Sequence, residues 1–74
     1  MSHAALIRLV DGLEDRAAGY VTLDQVEAGG AQNVTEAIAD GVLLVDHRTR
    51  ADGTAVILCR LNRHHPAVIE LTSW

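Results

Sequence analysis

Cys59, His64 and His65 are the residues whose types suit metal binding or nucleophilic chemistry. Zinc asks for four ligands in a tetrahedron, and two adjacent histidines ordinarily point apart. His47 would complete the set if its strand lay beside that of Cys59. A buried free thiol on a strand explains Cys59 more simply. Read as a Cys–His nucleophile pair, the same residues have no evident pocket or oxyanion donor in so short a chain. No P-loop, G-x-G-x-x-G or paired-carboxylate constellation occurs. The expectation is a non-enzyme with no metal site and no cofactor.

The cationic chemistry is all arginine, because the chain has no lysine. A net charge of −4 argues against indiscriminate adhesion to nucleic acid, which needs positive charge to neutralise phosphate. The charge is unevenly spread. Residues 1–45 hold seven of the ten acids (Asp11, Glu14, Asp15, Asp24, Glu27, Glu36, Asp40) and only Arg8 and Arg16. The rest hold Asp46, Asp52 and Glu70 against Arg48, Arg50, Arg60 and Arg63, with three histidines. The chain is acidic in front and mildly basic behind.

Seventy-four residues make one small domain, 1–74, with 61–74 as a C-terminal segment beyond the last strand. Apolar residues are 49% and charged ones 22%, a globular balance rather than a disordered one. With no Phe, one Tyr and one Trp, the core must be built from Leu, Val, Ile and Ala. Such a chain buries only about 60% of its unfolded surface, so association with a second copy is one remedy for a thin stability margin. No apolar run approaches the roughly 20 residues of a membrane span. A single cysteine and a start without signal-peptide features predict a reducing, cytoplasmic setting.

Residues 3–18 carry Leu6, Leu9, Val10, Leu13 and Ala17 at helical period, with Ser2 as cap and Gly19 as stop. Gly12 inside that helix costs about 1 kcal/mol relative to Ala and predicts a closely approaching neighbour. Tyr20–Thr22 reads as a single bridging strand. Thr22 and Gln25 form a T-x-x-Q capping box that opens a helix at Leu23, and Gly29-Gly30 ends it. A third helix follows Asn33, with Glu36 completing a second box of that kind and Gly41 as its stop. Val42–Arg48 and Thr54–Leu61 then form two β-rich runs around Ala51-Asp52-Gly53.

A two-residue turn at Asp52-Gly53 would set Arg48 opposite Ile57. A three-residue loop with a left-handed Gly53 pairs Leu43 with Leu61, Val45 with Cys59 and His47 with Ile57. The second register separates polar from apolar faces better. Its outer face still shows Leu44, Val56 and Leu58, which Val68, Ile69 and Leu71 of a final helix starting near Pro66 could cover. A strand over Val68–Thr72 is the other reading of that segment. Leu44, Val56 and Leu58 of the sheet, with Trp74, are the candidate surface for a homodimer.

Helix, short strand, short helix, turn, helix and hairpin is the order of a winged helix-turn-helix domain. Over residues 4–66 the chain resembles winged-helix transcriptional regulators of the ArsR- and MarR-like sort. The stretches YVTLDQV, AIADGVLLVDHRTRADGT and RLNRHHPAVIEL carry the likeness. It implies a small α+β fold, a winged helix of three helices plus a two- to three-stranded antiparallel hairpin wing. It also implies double-stranded DNA as partner, read by a helix over Asn33–Asp40. Gln32, Asn33 and Thr35 would meet base edges or phosphates, although a helix cap explains Asn33 more simply, without a partner. Arg48 and Arg50 in the wing would meet phosphate or the minor groove, and Arg60, Arg63, His64 and His65 extend that basic surface. The third helix departs from the pattern in lacking Arg and Lys and carrying Glu36 and Asp40. A winged helix that docks protein or dimerises without DNA is therefore the rival expectation.

Overall fold

Helix α1 spans Ala4–Arg16 in the computed structural model, which describes residues 3–17 and 21–72. Leu6, Ile7 and Val10 are buried, and Leu9, Leu13 and Ala17 pack at the margin of the same core. The buried stripe is wider than the sequence pattern because α1 touches the sheet and a C-terminal helix at once. Among the described residues no neighbouring element approaches Gly12. A Cβ there would meet only the Arg16 guanidinium, at 3.6 Å. Arg16 folds back along its own helix and donates Nε–H to the Gly12 carbonyl at 3.2 Å. The expected cap at Ser2 and stop at Gly19 lie outside the described residues, as do Tyr20 and Trp74.

Thr22 does two jobs. It ends strand β1 (Val21–Thr22), opposite Leu58, and it caps helix α2 (Leu23–Ala28). The Gln25 amide donates to Thr22 Oγ1 at 3.2 Å and the Thr22 amide donates to Gln25 Oε1 at 2.9 Å, which satisfies two otherwise orphaned donors. Thr22→Ala is expected to cost about 1 kcal/mol, read from the denaturant midpoint, with Thr22→Ser close to wild type. An unchanged Thr22→Ala midpoint would refute the box as a stabilising feature.

Helix α3 (Val34–Ala39) starts differently from expectation. Asn33 sits in the left-handed region at φ 59° and its side chain makes no capping bond, so the second capping box does not form. An N-cap side chain reaches the first turn from extended backbone, and the left-handed turn removes that geometry. The other end is as expected. Gly41, at φ 78°, lets its own amide donate to the Ile38 carbonyl and the Val42 amide donate to that of Ala37, closing the helix.

Strands β2 (Leu43–Thr49) and β3 (Ala55–Leu61) form an antiparallel hairpin in the register with Leu43 opposite Leu61, Val45 opposite Cys59 and His47 opposite Ile57. The Arg50 amide donates to the Thr54 carbonyl at 2.8 Å and the Gly53 amide to that of Arg50 at 2.9 Å. Gly53 takes φ 88°. This is the three-residue loop that polarity favoured. Strand β1 adds to the far side of β3, giving the sheet order β1-β3-β2.

Alternation divides the sheet. Val21, Leu43, Cys59 and Leu61 turn into the core with Val26 of α2 and Ala37 of α3. Leu44, Asp46, Arg48, Val56, Leu58 and Arg60 turn outward. The C-terminal segment is helix α4 (Pro66–Thr72), started by His65 Nδ1 accepting the Ala67 amide at 3.1 Å. It packs on α1 with Val68 buried and does not cover the outer sheet face, so Ile69 stays 47% exposed. Asn62 ties the end of β3 to the start of β2. Its amide donates to the Val42 carbonyl at 2.9 Å and its Nδ2 to that of Gly41 at 2.8 Å. The described residues form a small α+β domain of four helices and one three-stranded antiparallel sheet.

Candidate nucleic-acid interface

The turn between α2 and α3 is held tightly. The Gly30 amide donates to the Glu27 carbonyl, and Gly30 takes φ 86°. A Cβ on Gly29 would stand 2.9 Å from Leu9, so the turn rests directly on α1. Gln32, Asn33 and Thr35 emerge from it exposed. Because Asn33 caps nothing, its amide is left to solvent or a partner, on a backbone conformation that non-glycine residues adopt at a cost. These three polar side chains stand together at the start of α3.

The rest of the exposed side of α3 is acidic or small: Glu36, Ala39 and then Asp40. Asp40 is engaged, its Oδ2 lying 2.8 Å from His3 Nε2. A carboxylate only accepts, so Nε2 carries the proton in this contact. The bond anchors the start of α1 to the end of α3 and draws one carboxylate into an internal tie. Glu36 remains exposed.

The hairpin carries Arg48 and Arg50, both exposed. Arg48 Nε donates to Asp46 Oδ2 at 2.6 Å, a pair two residues apart on one face of β2. Exposed pairs of this kind contribute little stability, so the pair orients the guanidinium without locking it. Arg50 stands beside the loop, where Asp52 Oδ1 accepts the Thr54 amide at 2.9 Å. That bond holds the Asp52 carboxyl below its ordinary value.

The sequence-derived arginine strip is divided by the fold. Arg60 lies on the outer face of β3, opposite Leu44, beside a groove of about 410 Å³ lined also by Leu58, Asp46 and Arg48. Arg63 turns the other way. Its guanidinium meets Asp11 at 3.0 Å and Glu14 at 3.2 Å on α1. Glu14 also accepts the Leu61 amide at 3.3 Å, so Arg63 and Glu14 stitch the exit of β3 to α1. Sequence separations of 52 and 49 residues left no local signal for this tie.

Cys59 is buried, 5% exposed, within the core. Burial, reinforced by the Glu27 carboxylate, pushes its thiol above the ordinary value. That favours the unreactive thiol over the thiolate. Among the described residues no group of three or more His, Cys, Asp or Glu side chains is placed to hold a metal ion, and no helix is long and apolar enough to cross a membrane. Comparison with family models, curated proteins and solved structures returned no match to the chain.

Proposed function

We propose that the chain is a winged helix-turn-helix domain, resembling ArsR- and MarR-like regulators, that binds double-stranded DNA in cytoplasmic transcriptional control. The observation that carries this reading is the joining of a helix–turn–helix, α2 to α3, to an arginine-bearing hairpin through one sheet in the order β1-β3-β2. That arrangement suits a helix facing the major groove with a hairpin flanking it on the backbone. Gln32, Asn33 and Thr35 supply amide and hydroxyl groups for base edges or phosphates, and Arg48 and Arg50 supply phosphate contacts. Arg60 extends the basic surface, while Arg63 acts through its tie to α1. The protein is a binder rather than an enzyme, working as a homodimer.

A second reading rests on the acid left on α3. Glu36 exposed beside a phosphate-lined groove is repulsive, and it favours a domain that has kept the fold and binds protein instead. Salt separates the two. Fluorescence anisotropy with mixed-sequence duplex is expected to show micromolar binding at about 50 mM salt, weakening steeply as salt rises. Absence of binding at low salt would leave the protein-interaction reading.

Asn33→Gly tests the α3 contact separately from folding. Glycine accepts the left-handed backbone, so stability is expected to hold or rise by up to about 1 kcal/mol. Duplex affinity is expected to fall severalfold with the lost amide. Equal affinity in the two proteins would remove Asn33 from the interface.

A further inference from the structure

Strand β2 closes one side of the sheet and, among the described residues, has no strand on its outer edge. Which backbone groups face that edge follows from the register. The Arg50 amide bonds the Thr54 carbonyl and the Asn62 amide bonds the Val42 carbonyl. These are the two ends of one ladder in which hydrogen-bonded and non-hydrogen-bonded pairs alternate. Leu44, Asp46 and Arg48 therefore direct their amides and carbonyls at β3, whereas Leu43, Val45, His47 and Thr49 direct theirs away from it. The Leu61 amide agrees with this phase, since it points off the β2 side to Glu14. The outer edge of β2 is a regular row of donors and acceptors ready for another strand.

The side chains along this edge specify what kind of strand. Asp46, His47 and Arg48 form a charge sequence that is self-complementary when reversed. We propose that β2 pairs antiparallel with β2 of a second copy about a two-fold axis at His47, joining two three-stranded sheets into one of six. Here His47 faces His47 of the partner subunit, and the outward-bonding residues Val45 and Thr49 face each other. Asp46 of each chain then lies opposite the partner's Arg48, in the closer, non-hydrogen-bonded type of pair. Each guanidinium, already at 2.6 Å from its own Asp46, gains a second carboxylate.

Neighbouring registers do not work. Shifting the axis to residue 46 sets two aspartates opposite each other, and shifting it to 48 does the same with two arginines. Like charges directly opposite are destabilising. Charges on an edge strand ordinarily block pairing. Here the same two charges favour the register centred on His47, the one that sets each opposite an opposite charge on a second copy of the chain. Arg50 at the hairpin tip lies outside the Val45–Thr49 centre of the pairing. The association needs no nucleic acid and is read on the unbound protein; Arg48 enters both it and the proposed DNA contact, so its reversal acts on both.

Sedimentation of the unbound protein supplies the test, with circular dichroism confirming that each variant is folded. The wild type is expected to sediment as a dimer. Asp46→Arg and Arg48→Asp each place like charges in the two facing pairs, and each alone is expected to be monomeric. An equimolar mixture of the two is expected to recover the dimer, because the first chain carries two cations and the second two anions at those positions. Amide exchange gives a second reading on unmodified protein. The Val45, His47 and Thr49 amides are expected to be protected in concentrated solution and to exchange freely on dilution, while Asp46 and Arg48 stay protected throughout. A monomeric wild type would overturn the proposal. So would a wild-type dimer with a mixture that stays monomeric, or protection at Val45, His47 and Thr49 that ignores concentration.

Discussion

Leu43→Ala is expected to destabilise the domain by about 2–5 kcal/mol, the range for removing a buried leucine side chain to Cβ. Leu43 is 1% exposed at the start of β2, paired with the equally buried Leu61 and adjoining the fully buried Val42. All three belong to one aliphatic cluster with Ile7 and Val10 of α1 and Val68 of α4. A domain of this length is stable by only about 4–11 kcal/mol, so the change removes a large share of the total. At about 4–8 °C per kcal/mol, the thermal midpoint falls by about 8 °C or more. Leu44→Ala is the matched control. Its side chain is one residue on and points to the outer face, where it is only half-buried, and less than about 1.5 kcal/mol is expected. Equal losses at the two positions would contradict the assignment of sheet faces.

Reversing Arg48 and Arg50 together to Glu is expected to cut duplex affinity about a hundredfold at low salt. Two phosphate contacts are lost and two repulsions take their place. The log–log salt slope is expected to shrink by about 2. The variant moves an already acidic protein, at −4, four units further negative, so a general charge effect must be separated from a local one. Arg8→Glu with Arg16→Glu makes the same change at exposed positions of α1. That control is expected to lose far less affinity. Matching losses would mean that net charge, not the hairpin, governs binding.

Local chemistry made much of the fold legible. Thr22 and Gln25 announce their cap by spacing alone, and it forms as read. The hairpin register follows from which pairing separates Asp46, Arg48 and Arg60 from Val45, Cys59 and Leu61, because slipping by one residue would turn every side chain over. The second capping box failed at Asn33 because spacing carries no information on backbone sign, and the preceding turn sends that residue left-handed. The path of α4 was not legible either. Its apolar residues suit α1 as well as the outer sheet, and Val68 is captured by the larger apolar surface. The candidate site suffered most from distance. Four arginines in the last third look like one strip, yet Arg63 is drawn to Asp11 and Glu14 by a packing of β3 on α1 that no local pattern encodes. Gln32, Asn33 and Thr35 are candidates by their chemistry and their exposed place at the start of α3.

Amide chemical-shift mapping during titration with duplex DNA at low salt tests DNA binding by the hairpin and α3 most directly. The account predicts shifts grouped at Gln32–Glu36 and Arg48–Gly53, absent from α4, and reversed by added salt. An unchanged spectrum, or shifts confined to the outer sheet face around Leu44 and Leu58, would contradict it.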